Sequence, residues 1–268
     1  MRTFTTCMQC QVENGIPNFG SLGIERIPDD GVIELTCDRG HHTWMLLQQA
    51  KYEILSEVAV TALCDGYYRE AVGSFASALE RLYEHYIDVV CRARNIGREA
   101  FAAAWKPLRK YSERQLGAFS MLYLIETGQP FSLLAEKHVT FRNEVVHAGV
   151  IPDRKQAVVY GQAVGDCAAP LIAELHSARY AEIQQNLIKE RLRERSERAR
   201  RVGAPHSTQF LATPFSFNGS STGFDLESLL TERGKRPDMA KAVAESHAFA
   251  RTLAAMFAAP AEPPVKGD

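Results

Sequence analysis

Apolar residues recur at helical spacing through the central part of the chain. One amphipathic stripe occupies residues 48–64 and stops at Asp65–Gly66, a pair of residues typical of a helix end. Similar stripes run over residues 68–94 and 153–178, and each is long enough to cover several helical turns. The pattern predicts a mainly α-helical domain over residues 47–180.

Residues 1–46 follow a different pattern. Glycines and prolines recur there and mark turns, and between the turns Val32–Thr36 and Thr43–Leu46 have the composition of short strands. This segment has no helical apolar stripe comparable to those that follow it. The pattern therefore predicts a small, separate N-terminal module containing short strands.

After the helical domain the chain becomes strongly charged. Residues 181–202 mix positive and negative charges at helical spacing, which predicts a long exposed helix. Residues 203–268 are predicted to form a C-terminal extension. It begins with a linker over 203–225, rich in Gly, Ser, Thr, Pro and Phe, and continues with two short helices. Its last part, 258–268, is predicted to be a disordered tail.

Composition narrows the class of protein. The chain has 268 residues, of which 46% are hydrophobic and 24% charged, as in an ordinary soluble globular protein. The formal net charge of −1 argues against a protein that coats nucleic acid, so any RNA contact would come from local basic patches. No apolar run reaches membrane-spanning length and no signal-peptide core is present, so we expect a cytoplasmic location and no membrane partner. No glycine-rich phosphate loop supports nucleotide hydrolysis.

Four potential metal ligands frame the N-terminal module. Cys7 and Cys10 form a C-x2-C pair, and Cys37 and His41 form a C-x3-H pair. Three thiolates and one imidazole make a closed tetrahedral set of the kind that binds structural zinc. A module this small has too little apolar core to fold alone, so the metal would contribute its folding energy. The spacing predicts a zinc ribbon whose metal is structural and not catalytic.

The fourth ligand has a neighbour of the same type, since His42 follows His41 directly and only one of them need bind. We choose His41 because it follows a glycine in a knuckle-like turn. A redox role for the C-x2-C pair requires a thioredoxin-like βαβ context, which is missing, and a chance pairing of unrelated cysteines is the other alternative. The remaining cysteines lie in apolar helical patterns and are predicted to be small buried hydrophobic residues: Cys64, Cys91 and Cys167.

Three polar residues that can act on a phosphate occur together in Thr140–Gly149. Arg142, Asn143 and His147 stand among apolar residues at helical spacing, so the segment is predicted to be a packed helix with Asn143 and His147 on one face. Histidine exchanges protons near neutral pH, and arginine matches phosphate oxygens with a planar fork. Asparagine can fix the tautomer of an imidazole by hydrogen bonding its second nitrogen.

These three groups suffice to cut RNA without a metal. The ribose 2′-hydroxyl would be the nucleophile, His147 the acid or base, and Arg142 the group that stabilises charge on the pentacoordinate phosphate. DNA lacks the 2′-hydroxyl and would not be cleaved by this route. The alternative is a helix whose arginine and histidine make ordinary surface hydrogen bonds, because an arginine and a histidine at this spacing are frequent in unrelated sequences.

The segment Arg142-Asn143-x-x-x-His147 resembles the R-x4-6-H signature of HEPN-domain ribonucleases, in its RN-x3-H form. The resemblance extends over residues 50–178 and excludes the cysteine segment and the C-terminal extension. It implies a small helical bundle whose two-fold dimer brings two motifs into one composite cleft. It also implies a role as a toxin of a toxin–antitoxin system or in phage defence, with an antitoxin or regulatory partner.

An acidic residue on an early helix can lie near the Arg–His site of HEPN domains, and Glu80 resembles that position. The alternative for Glu80 is a solvated charge that faces Arg81 or His85. A homodimer is also expected because the three motif residues cannot easily reach one phosphate from a single regular helix.

A basic and aromatic cluster precedes the motif. It could track an RNA backbone and stack a base, or it could be an ordinary solvated face: Arg109, Lys110, Tyr111 and Arg114. Together these observations predict a metal-independent HEPN-like endoribonuclease that leaves 2′,3′-cyclic phosphate ends. The alternative is a non-catalytic HEPN-like module that binds RNA or protein and uses the zinc ribbon for recognition.

Overall fold

The computed structural model of the protein describes residues 1–15, 18–216, 223–235 and 238–257. For residues 255–257 it describes the backbone alone. This part of the chain is mainly helical, with ten α-helices and five short strands. It divides into two compact units. Of the described residues, the first unit comprises 1–15, 18–47, 194–209 and 238–257, and the second comprises 48–193, 210–216 and 223–235.

The first unit contains both sheets. Strands β1 (Arg2–Thr6) and β2 (Leu22–Arg26) pair antiparallel, while β3 (Val32–Thr36), β4 (His42–Leu47) and β5 (His206–Gln209) form a second sheet in that order. The predicted strand at 32–36 is present with the same limits, and β4 extends the predicted strand by one residue at each end. Helix α1 (Met8–Asn14) and strands β1 and β2 were not predicted, because each is short and lacks a clear apolar period.

Strand β5 lies within the stretch that the sequence predicts to be a linker. Its four residues, His-Ser-Thr-Gln, carry no alternating apolar pattern. They are extended because their backbone pairs in parallel with β4, from Trp44 opposite His206 to Leu47 opposite Gln209. A strand that depends on a distant partner for its hydrogen bonds has no local signal in the sequence.

The C-terminal helix of the first unit, α10 (Met239–Phe257), packs against the 3-10 turn at Phe19–Ser21 and against β2. Ser246 Oγ donates to the Phe19 carbonyl at 2.8 Å, and the rings of Phe19 and Phe249 meet edge to face with centroids 5.6 Å apart. The predicted helix at 239–257 is therefore present. The predicted tail, 258–268, lies outside the described residues, as does 217–222 of the predicted linker.

The second unit is a helical assembly around one apolar core. Its helices are α2 (Lys51–Cys64), α3 (Tyr68–Ala93), α4 (Arg98–Leu108), α5 (Ser112–Thr127), α6 (Glu136–Val146), α7 (Arg154–Leu175) and α9 (Leu226–Gly234). Helix α8 (Ala181–Arg201) begins here, and its residues from Glu194 onward belong to the first unit. Four of these helices match predicted segments closely: α2, α3, α7 and α8.

Helix α3 is central because it packs against α2, α5, α6 and α7. Its inner face carries the fully buried side chains of Phe75, Leu82 and Tyr86. Gly161 on α7 lies against Phe75, so close that a Cβ placed there would stand 2.6 Å from the ring. The absence of a side chain at Gly161 thus lets α7 pack closely on α3. No helix in the described part of the chain is both long and apolar enough to cross a bilayer.

Two sequence predictions about burial are wrong. Cys64 is exposed, since it ends α2 at the turn before Asp65, whereas Cys167 is buried and Cys91 half-buried. The Arg–His segment is packed less closely than predicted, because only Val145 of its apolar residues is fully buried, and Val146 and Val150 remain exposed. Helix α6 ends at Val146, so the residues after it no longer follow the helical stripe.

Candidate active site and candidate metal centre

The four predicted metal ligands lie together in the first unit. One donor atom from each of Cys7, Cys10, Cys37 and His41 falls within 4.8 Å of every other. The Cys10 and Cys37 sulfurs are 3.7 Å apart, and His41 Nδ1 is 3.3 Å from the Cys10 sulfur and 3.8 Å from the Cys7 sulfur. These side chains can hold a metal ion.

Local backbone geometry positions the two pairs. Cys7 is the N-cap of α1, and its sulfur accepts a 3.5 Å hydrogen bond from the backbone N–H of Cys10. The second pair is held in a tight turn in which the Gly40 N–H donates to the Cys37 carbonyl at 2.8 Å. Gly40 has a φ of +78°, a conformation that glycine adopts without the steric penalty of a Cβ. In each pair, a single turn of the backbone thus brings the two ligands close together.

The choice between the adjacent histidines is resolved by strand geometry. His41 precedes β4 and turns Nδ1 toward the thiols, whereas His42 lies on β4, is exposed, and pairs through Nε2 with Thr36 Oγ1 at 3.1 Å. The other ring nitrogen of His41 faces a Glu13 carboxylate oxygen at 3.5 Å. A carboxylate on the second nitrogen of a ligating histidine fixes the ring and increases its basicity. Glu13 was not predicted from the sequence.

Three separations between the donor atoms fit a tetrahedral ion. With metal–sulfur bonds of about 2.3 Å, tetrahedral geometry requires sulfur–sulfur distances of about 3.8 Å and sulfur–nitrogen distances of about 3.5 Å. The observed separations of 3.7, 3.3 and 3.8 Å are close to those values. Burial, together with hydrogen bonding to the neighbouring thiols, raises the pKa of Cys10 to about 12. A bound cation would favour the thiolate form of Cys10, because coordination to a metal deprotonates a thiol.

Arg142 and His147 stand at the C-terminal end of α6, in the second unit. Arg142 is partly buried and donates to Asn143 Oδ1 and to Glu80 Oε1, both at 3.1 Å. His147 is the C-cap residue, and its backbone N–H donates to the Asn143 carbonyl at 2.9 Å. Its imidazole is exposed and has no hydrogen-bond partner among the described residues. The side chain of Asn143 therefore orients Arg142, whereas the sequence suggested that it orients the imidazole.

Glu80 on α3 pairs with Arg142, and not with either of the neighbours considered in the sequence. Arg81 instead pairs with Glu84, and His85 pairs through Nε2 with Gln184 Oε1 at 2.8 Å. The Glu80–Arg142 ion pair joins α3 to α6. It leaves the guanidinium with a fixed orientation.

Arg142, Glu80 and His147 line one open cleft of about 480 Å³. The floor of this cleft is formed by small residues of α3, including Gly73, Ser74 and Ser77. A Cβ added at Gly73 would contact nothing within 4 Å, so this side of α3 is open. The arginine and the histidine thus face the same space from one helix end, with a carboxylate opposite them.

A second cavity of about 300 Å³ adjoins the cleft and shares Glu80 and Arg142 with it. Tyr160 lines this cavity, and its hydroxyl interacts with the Arg142 guanidinium. Burial raises the pKa of Tyr160 well above its usual range, and Arg142 opposes that rise. Tyr160 is therefore a neutral hydroxyl beside Arg142. Its position 18 residues beyond the arginine in the sequence gave no signal of this contact.

The predicted RNA-binding residues lie at the corner between α4 and α5. Tyr111 is exposed, and the Arg114 guanidinium stacks over its ring at 4.2 Å. Arg109 and Lys110 occupy the turn before it. None of the four lines either cavity, although Ser112 and Glu113, which lie between Tyr111 and Arg114 in the chain, line the second one.

Compared with protein-family models, with curated proteins and with solved structures, this chain matches none of them. What the two sites can do therefore follows from the geometry of their own residues.

Proposed function

We propose that this protein is a metal-independent HEPN-like endoribonuclease. The observation that carries the proposal is the open cleft that Arg142, Glu80 and His147 line together. The imidazole is exposed there and without a hydrogen-bond partner among the described residues, so it is accessible to a substrate proton. A buried His147 with both nitrogens occupied would have favoured a non-catalytic module instead.

Arg142 is the group that binds the phosphate. Glu80 and Asn143 fix its guanidinium at 3.1 Å each, which leaves other N–H donors of the fork for phosphate oxygens. A donor that is already oriented stabilises the charge of the transition state without reorganising during the reaction. Glu80 is thus a positioning residue for Arg142.

His147 transfers the proton. The imidazole removes the proton from the ribose 2′-hydroxyl, the oxygen attacks the adjacent phosphorus, and the bond from phosphorus to the 5′-oxygen breaks. The products are a 2′,3′-cyclic phosphate and a 5′-hydroxyl, whose proton comes from a second acid. A second copy of His147, supplied by a two-fold homodimer, is the natural source of that acid, since one cleft contains one motif.

The metal centre in this proposal holds zinc and is structural. Three thiolates and an imidazole fill all four tetrahedral positions, so no position remains for water or substrate. The ion would stabilise the first unit and take no part in cleavage. A role in antiviral defence or as a toxin with a regulatory partner is consistent with such an activity.

Cleavage of single-stranded RNA in EDTA tests the mechanism, with a short incubation so that chelation does not remove the structural ion. We expect wild type to cut RNA, to leave 2′,3′-cyclic ends and to spare DNA. His147→Ala and Arg142→Ala should each be slower by roughly 100-fold or more. The matched controls are His42→Ala and Arg69→Ala, which replace exposed residues outside the cleft.

Equal cleavage by wild type and both cleft variants would refute the proposed site. If all three proteins are folded and dimeric yet inactive, the result would favour the alternative, a non-catalytic module that binds RNA or protein. Failure of EDTA-treated wild type alone, reversed by a divalent ion other than zinc, would refute the metal-free mechanism.

A further inference from the structure

The cavity beside the cleft has the size and lining of a pocket for one small planar ligand. Its volume is about 300 Å³, at the lower limit of the roughly 300–1,000 Å³ common for small-molecule sites. Its walls are mostly apolar and come from α3, α5, α6 and the segment before α6, with Leu116, Leu133 and Val139 among them. The aromatic side chains of Tyr83 and Tyr160 complete the walls.

This cavity lies next to the proposed cleavage site. Arg142 and Glu80 form part of both cavities, so a phosphate bound by Arg142 would lie at the boundary between them. One nucleotide of RNA spans only a few ångströms, and the base attached to that phosphate would reach the adjoining cavity. The basic corner at Arg109–Arg114 contains two residues of its lining, Ser112 and Glu113.

Polar groups at the cavity favour certain bases. Asn143 Oδ1 accepts from Arg142, so the amide NH2 of Asn143 points away from the guanidinium and remains a donor. Glu113 and Glu136 also line the cavity, are exposed, and have no ion-pair partner among the described residues. Carboxylates accept hydrogen bonds from exocyclic amino groups, which adenine, cytosine and guanine carry and uracil lacks.

We propose that this cavity is a nucleobase pocket that selects a base with an exocyclic amino group next to the scissile phosphate. The pocket gives the enzyme a sequence preference at the cleavage site. This proposal rests on the ribonuclease function proposed above. Apolar walls hold the faces of the base, while Glu113 or Glu136 and the Asn143 amide read its edge.

Binding of the four nucleoside 3′-monophosphates and of inorganic phosphate to the full-length protein tests the pocket directly. Titration calorimetry measures each affinity without any cleavage. We expect the best amino-bearing nucleotide to bind at least tenfold more tightly than uridine 3′-monophosphate and than inorganic phosphate. Equal affinities for all four nucleotides would overturn the proposal, as would nucleotide binding no tighter than phosphate.

Filling the cavity provides a second readout. Leu133 is 42% exposed, so Leu133→Trp can occupy the cavity without disturbing the core. It should weaken nucleotide binding at least tenfold and leave phosphate binding within twofold. Ile125→Trp is the matched control, because Ile125 is also exposed and lies outside both cavities. Unchanged nucleotide affinity in Leu133→Trp would place the base elsewhere and refute the pocket.

Neutralising the carboxylates tests the selectivity. The double variant Glu113→Gln, Glu136→Gln should reduce the preference over uridine at least threefold, whereas Glu99→Gln, in the first turn of α4, should leave it unchanged. An unaltered preference in the double variant would overturn the role of the carboxylates. Selective nucleotide binding without RNA cleavage would retain the pocket and reject the ribonuclease, and RNA cleavage without selectivity would do the reverse.

Discussion

The two units differ in how their candidate sites relate to the apolar core. In the first unit two of the candidate metal ligands are themselves core residues, since Cys7 and Cys10 are buried and pack with Leu35 and the half-buried Cys37 in a small cluster. In the second unit the core around Phe75 and Tyr86 is extensive, and the cleft residue His147 is exposed outside it. A site that is part of its core cannot be altered without altering the fold. A site at the edge of a separate core can vary in chemistry at little structural cost.

Removal of a metal ligand should give the largest effect. Cys37→Ala is expected to lose the bound ion and to unfold residues 1–47, because structural zinc contributes roughly 10–16 kcal/mol to small zinc domains. Metal analysis and limited proteolysis measure both losses. His42→Ala is the control, since its ring pairs with Thr36 and not with the thiols.

Replacing the exposed cleft residue His147 is the matching test for the second unit. His147→Ala should alter the free energy of unfolding by no more than about 0.5 kcal/mol, as expected for an exposed side chain. A large destabilisation by His147→Ala, or a folded and metal-loaded Cys37→Ala protein, would abolish the distinction between the two sites.

The next largest difference is expected between two ion pairs of the second unit, one buried and one exposed, when each loses its arginine. Arg233 on α9 makes a bidentate pair with Glu57 on α2, and both side chains are largely buried. Arg233→Ala would leave the Glu57 carboxylate unpaired, at a cost of about 3–5 kcal/mol. Arg154→Ala removes the exposed pair with Glu227, which is worth at most about 1 kcal/mol.

Urea unfolding of the two arginine variants measures this contrast. Equal destabilisation would mean that burial does not set the strength of these pairs. A stable Arg233→Ala protein would show that water or another cation compensates Glu57.

Acidification should destabilise the second unit less than Arg233→Ala does. Burial lowers the pKa of His85 to about 4, although Gln184 opposes the shift by hydrogen bonding. The unfolded chain, with a histidine pKa near 6.5, takes up a proton before the folded state does. The neutral ring therefore contributes stability above about pH 6.5, and this contribution is lost as pH falls toward 4.

Urea unfolding at pH 7 and pH 5 should show a loss of up to about 2 kcal/mol from this group. His85→Gln should remove that part of the pH dependence, so the comparison is between the slopes of the variant and the wild type. Loss of any bound metal in acid would affect both proteins equally. Identical slopes would show that His85 is protonated to the same degree in both states.

Much of the fold could be predicted because its signals are local. Val32–Thr36 and the limits of α3 follow from patterns within a few residues, and the metal ligands follow from two short spacings. The exposure of Cys64 could not be predicted, because its helix stripe is apolar up to the last turn and the chain then turns away. Strand β5 could not be predicted because its hydrogen bonds go to β4, some 160 residues earlier in the chain.

By itself the sequence determined which residue types are present at which local spacing: a C-x2-C pair, a C-x3-H pair, and an arginine five residues before a histidine. Only the tertiary structure decided their partners. It placed His41 and not His42 against the thiols, Glu80 against Arg142 across 62 residues, and Tyr160 behind that arginine. The reason is physical: helical and strand periods are set by neighbouring residues, whereas the partner of a side chain depends on how distant segments pack around a common core.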